Sequence, residues 1–262
     1  MDQRRRAIVV GVEGGIGRAI AHALAADGCD LGLTWFRDEP EALATAATLR
    51  AVGATTHLAY LDLASYDAAA DAVADLAARL GGLDILVCSA GHNDRAVPGG
   101  GVFVRLRETV EVNLIGNAAV LLAGSAKLID QGTGGRIVVV TSVYEHMPKQ
   151  GHLGYTAAKH GLGGLVKGLA VELGPHDITV NSVMPGPIRA GPTANSRVPL
   201  GRTGEPTEVA ALVRFLASAE AAYVTGSSYA VDGGMSLMAA PAASATKQSF
   251  LKRAVSKLTD SG

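Results

Sequence analysis

Ala7-Ile8-Val9-Val10-Gly11-Val12-Glu13-Gly14-Gly15-Ile16-Gly17-Arg18-Ala19-Ile20 decides how the rest of the chain is read. An unbroken Val/Ile run of this length reads as a strand buried on both faces. The glycines at 11, 15 and 17 then allow a tight turn and a close approach of backbone to a ligand. A helical pattern follows at once, so the amide groups of a helix start face the loop, where negative charge is favoured. The spacing is G-x-x-x-G-x-G, and such a loop taken alone also serves as an ordinary strand-to-helix turn. Its place after the first strand favours a phosphate cradle.

The same alternation continues outward. Strands are expected at Ala7–Val12, Asp30–Trp35, Thr56–Leu61, Asp84–Cys88, Arg136–Thr141, Thr179–Val183 and Ser228–Val231. Helices are expected at Ile16–Asp27, Pro40–Val52, Tyr66–Leu80, Phe103–Gln131, Gly154–Leu173 and Pro206–Ser218. Alternation of this kind implies right-handed crossovers and a doubly wound parallel α/β sheet of about seven strands, with helices on both faces. Ligands of such sheets bind beyond the carboxyl ends of the strands. The one shift of composition comes after Gly234, so residues 1–238 read as a single domain and 239–262 as a tail. The tail is Ala/Ser/Pro-rich, then places Leu251, Val255 and Leu258 on one helical face. It fits a disordered segment, a helix docking on a neighbouring subunit, or a membrane-surface element.

Composition narrows the function classes. Of 262 residues, 33 are glycine, about twice the ~7% average, without a collagen period. The net charge of −1 provides no basic field for nucleic acid. Cys29 and Cys88 stand apart, with no spacing for a disulfide framework or a structural zinc site. The apolar run after Arg4-Arg5-Arg6 is too short for a signal peptide or a membrane span, so a soluble cytoplasmic protein is expected.

Tyr155-Thr156-Ala157-Ala158-Lys159 sets a phenol and an ammonium one helical turn apart on one face. Ser142, thirteen residues earlier, closes the run Ile137–Thr141 and falls at a strand's carboxyl end. A phenol with pKa ~10 is a poor acid–base group near neutrality, and a neighbouring cation favours its ionised form. Such a Tyr can protonate a carbonyl oxygen or deprotonate an alcohol. A Tyr-x-x-x-Lys pair alone is also common on a wet helix face.

Together with Ala90-Gly91, Asn113, Pro185-Gly186 and Asp232-Gly233-Gly234, these residues resemble the motif series of the short-chain dehydrogenase/reductase family, in its order, over residues 6–238. Thr141–Pro148 and Pro199–Pro206 resemble its glucose-dehydrogenase-like and 3-oxoacyl-carrier-protein-reductase-like branch. The resemblance implies a Rossmann-like fold and an NAD(P)-dependent oxidoreductase that transfers hydride between the dinucleotide and a small carbonyl or secondary alcohol. Tyr155 is then the general acid/base, with Lys159 lowering its pKa and bonding the nicotinamide ribose. Ser142 positions the carbonyl, and Asn113 holds a water that relays protons. Gly11, Glu13, Gly15, Ile16, Gly17, Ser89, Ala90 and Gly91 lie at the cofactor, Asp62 and Leu63 at the adenine, and Pro185, Gly186 and Ile188 at the nicotinamide. For Asn113 and Asp62 the plainer readings are a helix-interior amide and a helix-entry cap. The family also implies a homotetramer, or a homodimer.

Some positions depart from the family pattern. Val10 stands where a Thr is usual, and Cys88-Ser89 where two Asn brace the sheet. Ala190 replaces a Thr, and Glu13 sets a carboxylate near the expected phosphates. After the second strand, Thr34 is neutral, Trp35 and Phe36 can pack by the adenine, and Arg37 can reach a 2′-phosphate. NADP(H) is therefore the expected cofactor and NAD(H) the second choice, with Glu13 and Asp38 as the opposing residues. Substrate contacts are expected from Ser142, Tyr144, Glu145, His146, Met147, His152, Tyr155 and the loop 187–200; surface positions are the plainer reading of both histidines. The competing functions are a dinucleotide-binding regulator without catalysis and a sugar epimerase or dehydratase. The pocket residues do not name a substrate.

Overall fold

In the computed structural model, residues 4–92, 101–148 and 150–238 are described. The strands are β1 (Arg6–Val10), β2 (Asp30–Trp35), β3 (Thr56–Tyr60), β4 (Ile85–Cys88), β5 (Gly135–Val140), β6 (Ile178–Pro185) and β7 (Ser228–Val231). They pair in parallel, in the order β3-β2-β1-β4-β5-β6-β7. The helices are α1 (Gly15–Ala26), α2 (Glu39–Ala51), α3 (Tyr66–Leu80), α4 (Val102–Val110), α5 (Asn117–Gln131), α6 (Leu153–Leu173) and α7 (Pro206–Leu216). Every expected strand and helix is present, with ends moved by a few residues. The expected tail, 239–262, lies outside the described residues.

Strand alternation explains the two cores. Ala7 and Val9 of β1 point to one face, where α1, α2 and α7 bring Ile20, Leu24, Leu49, Val209 and Val213. Ile8 and Val10 point to the other, against Leu76 of α3, Leu121 and Leu128 of α5, and Leu162 and Val166 of α6. Both faces being covered, β1 has no wet side, which is why it reads as a continuous apolar run. After β3 the chain crosses to the far side of β1 to begin β4, so the loops following β1 and β4 part and leave a crevice between them.

One helix differs from its sequence pattern. The expected Phe103–Gln131 helix is interrupted by a π-helical turn, Glu111–Gly116, between α4 and α5. At this turn the helix crosses close to the end of β3. A Cβ on Gly116 would run into the carbonyl of Leu63, and Asn117 Nδ2 donates to Val112 O and Asn113 O at 3.3 and 3.2 Å. Apolar periodicity continues through a single widened turn, so it carries no signal of one. Val102–Gln131 is long and apolar enough to cross a membrane by length and composition, yet Val120, Leu121 and Leu128 are used against the sheet. Ile115, Leu122 and Ile129, seven residues apart, form an outer stripe that is 42, 57 and 37% exposed.

The basic lead-in is structural. Arg6 opens β1 and grips Asp84, just before β4, through Nε and Nη2 at 2.8 and 2.7 Å. Burial pushes the Asp84 carboxyl up, but the hydrogen bonds from Arg6 outweigh it and hold the group below its ordinary value. A carboxylate whose folded pKa is depressed contributes stability above ~3.9, and that contribution is lost as pH falls toward the folded value. Asp84→Asn is therefore expected to cost about 1.5–3 kcal/mol near neutrality. In urea titrations the gap to the wild type should narrow below pH ~4.

Candidate active site

The corner between β1 and α1 is built for close approach. Gly11 has φ +86°, and a Cβ there would lie 2.8 Å from the Cβ of Ala90. A Cβ on Gly17 would overlap the Gly11 carbonyl and stand 2.7 Å from Ser89 Oγ. The sequence departures are compensated here. Thr34 Oγ1 accepts from Gly11 N at 3.2 Å where Val10 supplies no hydroxyl, and the Ser89 hydroxyl donates to Val10 O at 2.8 Å. Helix α1 starts without a side-chain cap, so its first amides are available to an anion. Gly17→Ala must open this corner. It is expected to cost about 1–3 kcal/mol and to weaken nucleotide binding, which thermal melts with and without dinucleotide would reveal.

A cleft of about 600 Å³ lies over the carboxyl ends of β1 to β4. It is lined by Gly11, Glu13, Trp35, Phe36, Arg37, Asp62, Leu63, Ser89, Ala90 and Gly91, all expected at the cofactor. His92 joins them, as do Glu108, Glu111 and Val112 from α4 and the π turn, which the sequence did not single out. Gly15, Ile16 and Gly17 lie outside this lining, with Ile16 packed on the core beneath α1. Pro185, Gly186 and Ile188 are also outside it. Gly186 abuts Asp232, and Ile188 bridges to Gly204. A smaller hollow, about 320 Å³, sits at the opposite end of the sheet over Arg6 and Asp84 and holds none of these groups.

Glu13 resolves the apparent conflict of a carboxylate in a phosphate loop. Its side chain turns to the end of β2 and accepts the backbone N–H groups of Phe36 at 2.6 Å and Arg37 at 3.2 Å. The Arg37 guanidinium lies 5.2 Å from the centre of the Phe36 ring, and Trp35 stands edge-on to Tyr60 at 5.1 Å. Asp62 accepts from Ala64 N at 2.9 Å in the turn ahead of α3, whose N-cap is Ser65.

The α6 pair meets the ends of the central strands. Lys159 Nζ is 5.6 Å from the centre of the Tyr155 ring and 3.5 Å from Val140 O. Burial lowers the Lys159 pKa to about 8, against the pull of the Glu145 carboxylate. Ser142, at the end of β5, is 7% exposed, and its Oγ accepts from Tyr144 N at 3.3 Å. The Tyr144 ring stands edge-on to Tyr155 at 6.1 Å. Asn113 sits in the π turn; its Oδ1 accepts from His92 N at 3.1 Å, and its Nδ2 donates to His92 O and Thr109 O at 2.9 and 3.0 Å. A Cβ on Gly91 would lie 2.6 Å from Asn113 Oδ1 and 3.5 Å from Lys159 Nζ, so both groups converge on that glycine. His146 and His152 lie on the segment joining β5 to α6, with His146 Nε2 3.6 Å from Glu145 Oε1. The thiol of Cys88 beneath this site is pushed up to about 12 by burial and stays protonated.

Glu145 is where the sequence reading is corrected. Expected as a substrate contact, it is 4% exposed and points inward. Its carboxylate accepts from the hydroxyls of Thr141, Ser182 and Ser228 at 2.6, 3.0 and 2.6 Å, tying the end of β5 to the middle of β6 and the start of β7. The signal that could have located it is the hydroxyl residue just after β5, within β6 and at the start of β7, since a buried carboxylate needs donors.

The family model described as enoyl-(acyl carrier protein) reductase matches residues 11–236. The chain is 39% identical over 241 residues to the uncharacterized oxidoreductase YohF of Escherichia coli, covering 88% of this chain and 95% of that one. It is similar in structure to acetoin dehydrogenase YohF from Salmonella typhimurium, with a TM-score of 0.85 and 38% identity over 90% of this chain and 97% of the other. Acetoin dehydrogenase from Enterobacter cloacae gives a TM-score of 0.86 and 38% identity over 92% and 100%. A glycine corner, a cleft at the sheet's reversal and a Tyr155–Lys159 pair at the end of β5 are thus found on a chain that matches these proteins almost end to end, and it belongs to the short-chain dehydrogenase/reductase family as an oxidoreductase of that type.

Proposed function

We propose that the protein interconverts a small ketone or aldehyde and its alcohol, a ketoreductase-type reaction, with Tyr155 as the general acid/base. The family uses NAD(P)(H), and the residues present fit such a group. The corner at Gly11 and Gly17 has no room for side chains, α1 starts uncapped, and the cleft runs from there past Trp35 and Asp62. When bound, the dinucleotide supplies or accepts hydride at its nicotinamide.

The observation that carries the reading is the convergence of Lys159 and Asn113 on Gly91, with Tyr155 on the same helix face as Lys159. In reduction, the Tyr155 hydroxyl gives its proton to the substrate oxygen as that oxygen becomes an alkoxide; in oxidation it takes the alcohol proton back. Ser142 donates a hydrogen bond to the same oxygen. The Lys159 ammonium, held beside the ring, favours the phenolate that remains and bonds the nicotinamide ribose. Asn113 holds the relay water that returns the proton. Pro185, Gly186 and Ile188 border the nicotinamide end, and Tyr144, His146 and His152 border the substrate.

The acetoin dehydrogenase relatives make acetoin the first substrate to test. The assay follows dinucleotide absorbance with acetoin and simple ketones, using Tyr155→Phe as control. Turnover that survives the substitution sinks the assignment. We place the protein in the cytoplasm as a homotetramer or homodimer. The heptad-spaced stripe Ile115, Leu122 and Ile129 supports such assembly, because a stripe of this kind on a long helix is covered by packing against another helix.

A further inference from the structure

We propose that Glu13 selects the dinucleotide, favouring NAD(H) over NADP(H). The proposal rests on the reading that the cleft holds a nicotinamide dinucleotide, and it reverses the expectation drawn from Arg37. The two cofactors differ only at the 2′ position of the adenosine ribose: a hydroxyl donor in one, a phosphate of about −1.5 to −2 charge in the other. In doubly wound folds that position falls by the end of the second strand, where an acidic residue accepts from the ribose diol. In this chain β2 ends in Thr34-Trp35, and no residue from Leu33 to Arg37 is acidic. The carboxylate comes from the glycine loop instead.

Three observations support the assignment. Glu13 takes the backbone N–H groups of Phe36 and Arg37, the donors a phosphate would need at that place. An ionised carboxylate has about four lone-pair positions, so acceptor capacity remains for hydroxyl groups, which a phosphate lacks at neutral pH. Glu13 is also the carboxylate held against the backbone at the end of β2, while the acidic residues on either side serve local structure. Asp38 accepts from Glu41 N at 3.0 Å as the cap of α2, Glu41 pairs with Arg18, and Asp62 accepts from Ala64 N. Arg37 is the cation on hand for a phosphate, but its guanidinium lies on the Phe36 ring and its own N–H is bound to Glu13. A 2′-phosphate would meet the Glu13 charge and displace its hydrogen bonds; a ribose diol would add to them.

The test is isothermal titration of the full chain, its Glu13→Gln variant and its Glu13→Ala variant with NAD⁺ and with NADP⁺. Adenosine 5′-monophosphate and adenosine 2′,5′-bisphosphate serve as fragments that report on this end alone. Emission of Trp35, the single tryptophan, gives a second binding signal, and thermal melts confirm that the variants fold. The wild type should bind NAD⁺ and the monophosphate at least about tenfold tighter than their 2′-phosphorylated partners. Both variants should shrink that ratio about tenfold or invert it. A wild type that binds NADP⁺ as tightly as NAD⁺, or a ratio unchanged in both folded variants, overturns the assignment. Binding of neither dinucleotide at millimolar concentration removes the dinucleotide reading itself, and this proposal with it.

Discussion

Tyr155→Phe is expected to lower kcat for carbonyl reduction by about 10²–10⁴-fold, the usual contribution of a positioned acid–base group, while the dinucleotide Kd moves by less than about twofold. The substitution removes one oxygen and leaves the ring that packs edge-on against Tyr144 and beneath Lys159 Nζ. The ring packing is kept, so a fall in rate reports on the loss of the hydroxyl. Lys159→Met makes the complementary variant. Burial lowers the Lys159 pKa to about 8, and the nearby Glu145 carboxylate works against that to favour the ammonium. Removing it should lower kcat by a similar factor and should also weaken dinucleotide binding, because the same ammonium is assigned to the nicotinamide ribose. Pre-steady-state and equilibrium binding measurements separate the two effects. A Phe variant with more than about a tenth of wild-type kcat would mean that the proton comes from elsewhere.

Glu145→Leu should be the most damaging single change to stability, costing about 3–5 kcal/mol by urea unfolding. The carboxylate is the shared acceptor of three hydroxyls carried by three neighbouring strands or their ends. A leucine leaves the buried Ser182 hydroxyl without that acceptor, at about 1–3 kcal/mol, while the half-buried Ser228 loses its bond at a smaller cost. Thr141 suffers less, since it also reaches Val183 O at 3.2 Å. Lys159 loses its nearby anion at the same time, so its charged form becomes harder to keep. Glu145→Gln retains shape and one acceptor and should cost about half as much. Because Glu145 follows Ser142 by three residues and fixes that loop, even the milder variant should lower kcat. A leucine variant within about 1 kcal/mol of the wild type would show that the hydroxyls find other partners, and the strand-tying role would fall.

What the amino-acid sequence determined alone is what short-range periodicity can hold. Continuous Val/Ile runs marked strands covered on both faces, and apolar residues at helical spacing marked the helices, with α4 and α5 read as one. Tyr155 and Lys159 four residues apart had to share a helix face, and Gly11 and Gly17 had to stand at a turn too crowded for side chains. These follow from local geometry, which the neighbouring residues set. The tertiary structure decided the destinations of polar side chains, because their partners lie far along the chain. Glu13 meets the amide of Phe36, 23 residues on, instead of the phosphate loop it belongs to. Glu145 meets Ser228 across 83 residues and is structural where a substrate contact was expected. Asn113 reaches His92, 21 residues back, from a π turn that no apolar period announces. A buried charge or amide goes wherever the folded chain offers donors and acceptors, and that choice exists only after the sheet has brought its strand ends together.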